Sequence, residues 1–180
     1  MRISKVTTKT GDKGQTGLGN DKRVSKNHVR VNTLGSIDHL NSIIGWVTCK
    51  AKSMVKTNLE SIQQDLFNLG GEISMPDTEL ILLKEERIFW LESEINKLNS
   101  ELPPLKEFIL PGGSELSARI HLARSECRNT ERDLVTLFEK EKVRNTHLQY
   151  LNRLSDYLFV LARKSLMVSK KPEIQWENNK

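Results

Sequence analysis

Only two cysteines occur in this 180-residue chain, Cys49 and Cys127. Their spacing matches neither a zinc site nor a disulfide framework. The histidines, His28, His39, His121 and His147, show no metal-ligand pattern. No apolar run approaches the roughly 20 residues that a membrane span needs, and no secretory leader opens the chain. These absences lead us to expect a soluble, cytoplasmic protein with no membrane role. Aromatic residues are few, at 6%. The basic tract with interleaved aromatics used by single-strand binders is missing, so nucleic acid is not an expected partner. Three familiar catalytic signatures are also absent: GxSxG, GxxxxGK[ST] and HExxH. No nucleophile–base pair stands out, which suggests that the attacking atom comes from outside the protein.

The length fits a single domain, residues 1–180. A net charge of +5 fits a small polyanion as well as a nucleic acid. The segment TKTGDKGQTGLG, Thr8 to Gly19, mixes glycines, threonines, two lysines and an aspartate. Glycine allows close backbone approach to a ligand. Threonine hydroxyls, backbone N–H groups and lysine ammoniums all donate to oxyanions. The segment reads either as a phosphate-gripping loop or as a flexible chain end. The cations fall among the glycines rather than beside them, which favours the loop.

Residues 1–31 show no helical period, and Arg2 to Thr7 could form a short strand or an extended arm. From Ser36 an amphipathic helix is expected, with Ile37, Leu40, Ile44 and Val47 inward. A second helix is expected from about Asn58 to Ser74 and a third from about Thr78 to Ser100, the latter with Ile81 and Ile88 on its stripe. Pro103-Pro104 stops the third helix. Ser114 is the expected N-cap of a fourth that runs to about Glu139. A fifth spans about His147 to Val168. The fold class is therefore all-α: a five-helix up-and-down bundle over residues 32–170. An extended N-terminal phosphate-binding loop precedes it. Residues 171–180 form a polar tail expected to fray, although Trp176 could dock.

The fourth helix carries Arg124, Arg128 and Arg132 at four-residue steps beside the seam Ile120, Ala123, Cys127, Leu134 and Leu137. Three guanidiniums on one stripe repel unless anions answer them. Glu131 lies one turn from Arg128 and can answer part of the charge. Arginine forks suit bidentate grip on phosphate or carboxylate. A solvated face with helical ion pairs is the other reading. Asn152 and Asp156 on the fifth helix, and Asp38 and Asn41 on the first, are polar pairs one turn apart. The Asp38 carboxylate calls for a cation, which the arginine stripe offers.

Six segments then occur in order: Thr8–Gly19, RVSK (Arg23 to Lys26), LGSIDHLNS (Leu34 to Ser42), FILPGGS (Phe108 to Ser114), ARSECRNTER (Ala123 to Arg132) and LNRLSDYLF (Leu151 to Phe159). Together they resemble the PduO-type ATP:cob(I)alamin adenosyltransferases from Lys5 to Lys164. The resemblance implies a homotrimer with active sites between subunits. It implies transfer of the 5′-deoxyadenosyl group of ATP to the cobalt of reduced cobalamin, releasing triphosphate. Reduced cobalt would be the missing nucleophile.

By the same resemblance Thr8, Lys9, Thr10, Gly11, Thr16, Gly17 and Lys26 line the ATP site. Arg128, Glu131 and Arg132 meet them from a neighbouring subunit, and Asn152 contacts the nucleotide. Phe108 lies on the corrinoid side and keeps the lower axial ligand off cobalt. Asp38 pairs with Arg124 across the interface beside it. The catalytic set is then Arg128, Arg132, Asp38 and Phe108. Mg²⁺ is expected to travel on ATP, without protein side chains as its ligands. A reductase and a B12-dependent enzyme are implied as transient partners. A non-catalytic trimeric carrier of adenosylcobalamin is the alternative. The chain departs from the family pattern at His39, at Asn20-Asp21 and at Lys13, all flanking positions.

Overall fold

The computed structural model describes residues 7–177. The expected Arg2–Thr7 arm lies outside this range, apart from Thr7, which is in no helix or strand. Two short strands, β1 (Gln15–Gly17) and β2 (Arg23–Ser25), precede five helices. These are α1 (Val29–Thr48), α2 (Ser53–Ser74), α3 (Glu86–Ser100), α4 (Glu115–Lys140) and α5 (Asn145–Val168). The helices alternate up and down. α4 packs between α1 and α5, α2 lies on α1, and α3 lies on α5.

The apolar seams explain this order. Ile37, Leu40, Ile44 and Val47 of α1 are buried, as are Leu59, Ile62, Leu66 and Leu69 of α2. On α4 the whole seam from Ile120 to Leu137 is inaccessible. On α5 Leu151, Leu154, Leu158 and Leu161 turn inward, joined by Tyr150 and Tyr157. Each such side chain contributes about 1.5–3 kcal/mol by leaving water. Ser114 caps α4, its hydroxyl accepting from Ser117 N at 3.2 Å.

Two helix starts differ from expectation because polar contacts replace apolar ones. α1 begins at Val29 rather than Ser36. Its first turns are inward but polar: Arg30 donates to Ile73 O at 2.7 Å and pairs with Glu141, and Thr33 donates to Asp133 O at 3.2 Å. His28 caps the helix, Nδ1 accepting from Arg30 N. α3 begins at Glu86, not Thr78. The preceding stretch cannot be helical, because Glu72 Oε1 accepts from both Leu82 N and Leu83 N at 2.6 Å. Leu83 is buried there, while Ile81 is exposed. α2 starts at Ser53, five residues before the expected Asn58. Its first turn is mostly exposed, with Val55 half-buried against the core.

The Thr8–Gly19 segment ends in β1, which pairs with β2 as a hairpin, with Thr16 opposite Val24. Gly14, at φ 77°, makes the turn into β1. Gly14 N donates to Gly11 O at 3.1 Å, and Lys26 N donates to Gly14 O at 2.9 Å. The hairpin rests on the end of α2: Gly19 N donates to Ser74 O at 2.8 Å, and Lys22 pairs with Asp77 at 2.9 Å. Nor is the tail frayed through residue 177. Ile109 and Gln175 form an antiparallel bridge.

Beneath the hairpin Glu72 is a four-donor hub. Its Oε2 accepts from Arg144 Nη1 at 2.9 Å and from His147 Nε2 at 2.7 Å. Burial pushes Glu72 up, but the Leu83 amide, His147, Arg144 and the Leu82 amide outweigh it, so its pKa lies below the ordinary 4.5. Burial, against the pull of Glu72, holds His147 below its ordinary 6.5. Neutral His147 therefore donates from Nε2, while buried Nδ1 has no partner. On α2 the neighbouring Asp65 is raised, by burial, against hydrogen bonds from Tyr150 and Arg87. Asp65 therefore opposes the other two groups.

The signs set a pH dependence. A depressed histidine leaves the unfolded chain holding more protons, so stability falls as pH drops below about 6.5. The contribution of Glu72 is complete above about 4.5 and is lost as pH falls through its lower folded value. We expect the melting temperature to fall between about pH 7 and about pH 5, with a shallower fall in His147→Gln. Thermal melts across that range measure both slopes.

Candidate active site

Two clusters of polar side chains stand on the bundle. The first is the hairpin. Thr8 and Thr10 hydroxyls lie 3.0 Å apart. Lys9 sits at φ 59°. A Cβ on Gly11 would come within 3.2 Å of Lys26 Nζ, so the Lys26 ammonium lies directly over the Gly11 backbone. Arg23 braces the loop from behind, donating to Thr10 O at 2.8 Å. Thr16 and Gly17 continue along β1. The result is a ridge of exposed donors held by backbone hydrogen bonds.

The second cluster surrounds a cavity of about 510 Å³ between α4, α5 and the Leu105–Pro111 turn. Arg124, Arg128 and Phe108 all line it. So do His121, Ser155, Asp156 and Phe159. Because Ala123 and Cys127 are buried against the core, the positions one residue further round the helix face this space. The Arg124 guanidinium lies over the Phe159 ring at 5.2 Å, a cation–π arrangement. Burial, then the Arg128 charge, depress the Arg124 pKa from its high ordinary value. It remains a cation. His121 meets Phe159 edge-on at 6.4 Å. Burial and the Arg124 charge lower its pKa, so it is a neutral ring at pH 7. The cavity therefore has one cationic wall and one aromatic wall. A small anion alone does not need both.

The neighbouring positions divide differently from expectation. Glu131 accepts from Asn152 Nδ2 at 3.1 Å rather than answering Arg128. Asn152 in turn accepts from Arg153 Nη1 at 2.7 Å, so it forms no pair with Asp156. Arg132 holds Asn129 Oδ1. Asp38 is exposed on α1, and among the described residues it makes no hydrogen bond or ion pair. Its expected companion Asn41 exchanges hydrogen bonds with the Gln63 backbone and side chain. Among the described residues no hydrogen bond or ion pair joins the hairpin to α4. Arg128 has no acidic partner in its own chain within that range.

Sequence reasoning passed over Phe159, Ser155 and the Leu105–Lys106 end of the turn as cavity walls. Phe159 stands one turn beyond Asp156, and seven residues after Asn152, which is a readable signal. Among the described residues no group of three or more His, Cys, Asp or Glu side chains converges as a metal site. No helix is long and apolar enough to cross a membrane among those residues.

Comparison with known proteins bears on this geometry. A family model described as cobalamin adenosyltransferase matches residues 6–165. A protein from Cupriavidus metallidurans named cobalamin adenosyltransferase is 44% identical, covering 99% of this chain and 97% of its own length. A corrinoid adenosyltransferase from Bacillus subtilis is 42% identical, covering 88% of this chain and 85% of its own. Among solved structures, a variant PduO-type ATP:corrinoid adenosyltransferase from Lactobacillus reuteri, complexed with cobalamin and ATP, superposes with a TM-score of 0.93. It is 35% identical and covers 97% of this chain and all of its own. With five helices in the same arrangement and the family model spanning nearly the whole sequence, this chain belongs to the cobalamin adenosyltransferase family.

Proposed function

We propose that the protein transfers the 5′-deoxyadenosyl group of ATP to the cobalt of a reduced corrinoid, releasing triphosphate. One observation carries this reading within the family: a single cavity sets Arg124 and Arg128 against Phe108 and Phe159. The cationic wall suits a polyphosphate, and the aromatic wall suits a large macrocycle. The cobalt(I) substrate supplies both electrons of the new Co–C bond. The C5′–O bond breaks, and its electron pair leaves with the triphosphate. No side chain has to attack, which agrees with the absence of a nucleophile–base pair.

The protein then binds, orients and stabilises charge. Thr8, Lys9, Thr10, Gly11, Thr16, Gly17 and Lys26 grip the phosphates from the hairpin. Arg128 and Arg132 fork onto them as charge builds on the leaving group. Asn152 holds Glu131 in register beside them. Hairpin and arginines belong to different subunits of a homotrimer. This is favoured by the lack of any hydrogen bond or ion pair between them among the described residues, and by the free acceptor at Asp38, which takes Arg124 of the neighbour. Magnesium travels on the nucleotide, with phosphate and water oxygens as ligands. The described residues offer no carboxylate cluster for it. The enzyme acts in the cytoplasm, taking electrons from a reductase and passing its product to a B12-dependent enzyme. The alternative of a carrier with a decayed nucleotide loop is disfavoured by the ordered hairpin.

Incubation with ATP, Mg²⁺ and chemically reduced cobalamin should give light-sensitive adenosylcobalamin and free triphosphate. ADP and phosphate instead would contradict the assignment. In that assay Arg128→Ala should lose about 10²–10³ in kcat, as for removal of one donor to developing charge. Its melting temperature and oligomeric state should persist, because Arg128 is exposed and forms no ion pair within the described chain. Loss of assembly would make the residue structural. Phe108→Ala should slow turnover from cobalt(II) more than turnover from cobalt(I), because removing the lower ligand eases reduction. Equal rates from both starting states in variant and parent would refute that role.

A further inference from the structure

The turn that carries Phe108 has little packing of its own. Phe108 is 79% exposed. Gly112 and Gly113 follow it with φ values of 150° and 84°. Neither side-chain contact nor backbone stiffness therefore fixes the ring over the cavity. The last described segment does. Trp176 N donates to Phe108 O at 2.7 Å, and Leu110 N donates to Ile174 O at 2.8 Å. Ile109 pairs with Gln175 between them. Residues 173–176 thus form a strap along the backbone from Phe108 to Leu110.

The strap is itself held by one buried cation. Arg163 on α5 is only 3% exposed. Its Nε donates to Glu173 Oε1 at 2.8 Å, and its Nη2 donates to Glu173 Oε2 at 3.1 Å and to Pro103 O at 2.8 Å. A guanidinium this buried is stable only while paired, so the fork holds firmly. It joins three things: α5, the start of the α3–α4 connection and the strap. Leu166, one turn further along α5, closes the other end of that connection, since a Cβ on Gly113 would come within 2.6 Å of its Cδ1. Glu173 does not line the cavity. It acts on Phe108 through the backbone it restrains, while its charge is also felt by His121 in the cavity wall.

We propose that Arg163 and Glu173 are positioning residues for the reaction: their pair fixes the 173–176 strap, and the strap sets Phe108 at the lower face of the corrinoid. This rests on the corrinoid reading of the cavity. The clasp itself can be tested without it.

Amide hydrogen exchange in Glu173→Gln reads the clasp alone. Exchange at Leu110 and Trp176 should accelerate about tenfold or more while α4 amides keep their protection. Unchanged exchange at both would overturn the clasp whatever the enzyme does. The same variant is then assayed from both cobalt states. Turnover from preformed cob(I)alamin should stay within about twofold of the parent, while turnover from cob(II)alamin with reduced flavin falls by about tenfold or more. The absorption of four-coordinate cobalt(II) in the presence of ATP should weaken in step. In the double variant Phe108→Ala/Glu173→Gln the second change should add nothing, because both act through one ring. Additive losses, or equal losses from both cobalt states together with a lowered melting temperature, would show a merely structural pair. A chain ending at Lys171 removes the strap outright and should reproduce the loss from cob(II)alamin; a parental cob(II)alamin rate in that chain would overturn the proposal. Arg163→Lys should restore part of the cob(II)alamin rate relative to Arg163→Met.

Discussion

Burial of the α4 seam between α1 and α5 is the constraint on which the site depends. Ile120, Ala123, Cys127, Leu134 and Leu137 are all inaccessible to solvent. That fixes the rotation of α4 about its own axis. Once the rotation is set, Arg124 and Arg128 have to face the cavity, one position further round. The small side chains at Ala123 and Cys127 let α5 come close. Cys127 Sγ donates to Leu151 O at 3.3 Å, and burial pushes that thiol far above its ordinary value. The cysteine is therefore a packing residue, inert at neutral pH. Core packing thus aims the cations into the cavity.

Charge is handled differently at the two ends of the bundle. At the hairpin end, buried charges meet in the protein: Arg30 with Glu141, and Glu72 with Arg144 and four donors in all. These pairs fix the platform under the hairpin. At the cavity, Arg124 and Arg128 stand beside each other, and among the described residues neither has an ion-pair partner, although Asp156 and Glu107 share the lining. Leaving like charges close together costs stability. On the proposed function that cost is met on binding and assembly, by a polyanionic ligand at Arg128 and by Asp38 of a neighbouring copy at Arg124. The contrast separates cations paired within the chain from cations that the proposed reaction leaves for a ligand or a neighbouring copy.

Much of the fold was legible in the sequence because most inward positions are apolar. The seams of α1, α2, α4 and α5 and the Ser114 cap all appear where helical periodicity puts them. Legibility failed where polar contacts replaced apolar burial. Arg30 and Thr33 are buried but hydrogen-bonded, so hydrophobic spacing did not register the first turns of α1. Ile81 fitted the stripe of α3, yet Glu72 claims the amides of Leu82 and Leu83 and keeps that stretch out of the helix. The polar tail read as frayed because its partner, the Phe108 turn, is distant in sequence and bonded through the backbone alone. Of the site, the arginine stripe and the loop composition were visible. Phe159, Ser155 and the role of His121 as a neutral wall were not, because they come together only when α4 and α5 pack.

The division of labour between subunits is the central claim, with loop donors from one copy and guanidiniums from the next. Complementation tests it most directly. Lys26→Ala and Arg128→Ala proteins, each inactive alone, are mixed in equal amounts under conditions that exchange subunits. Random mixing in a cyclic trimer leaves about one site in four with an intact loop and an intact arginine, so about a quarter of the parental adenosylation rate should return. If verified mixed trimers are no more active than either variant alone, loop and arginine act within one chain, and the claim is contradicted.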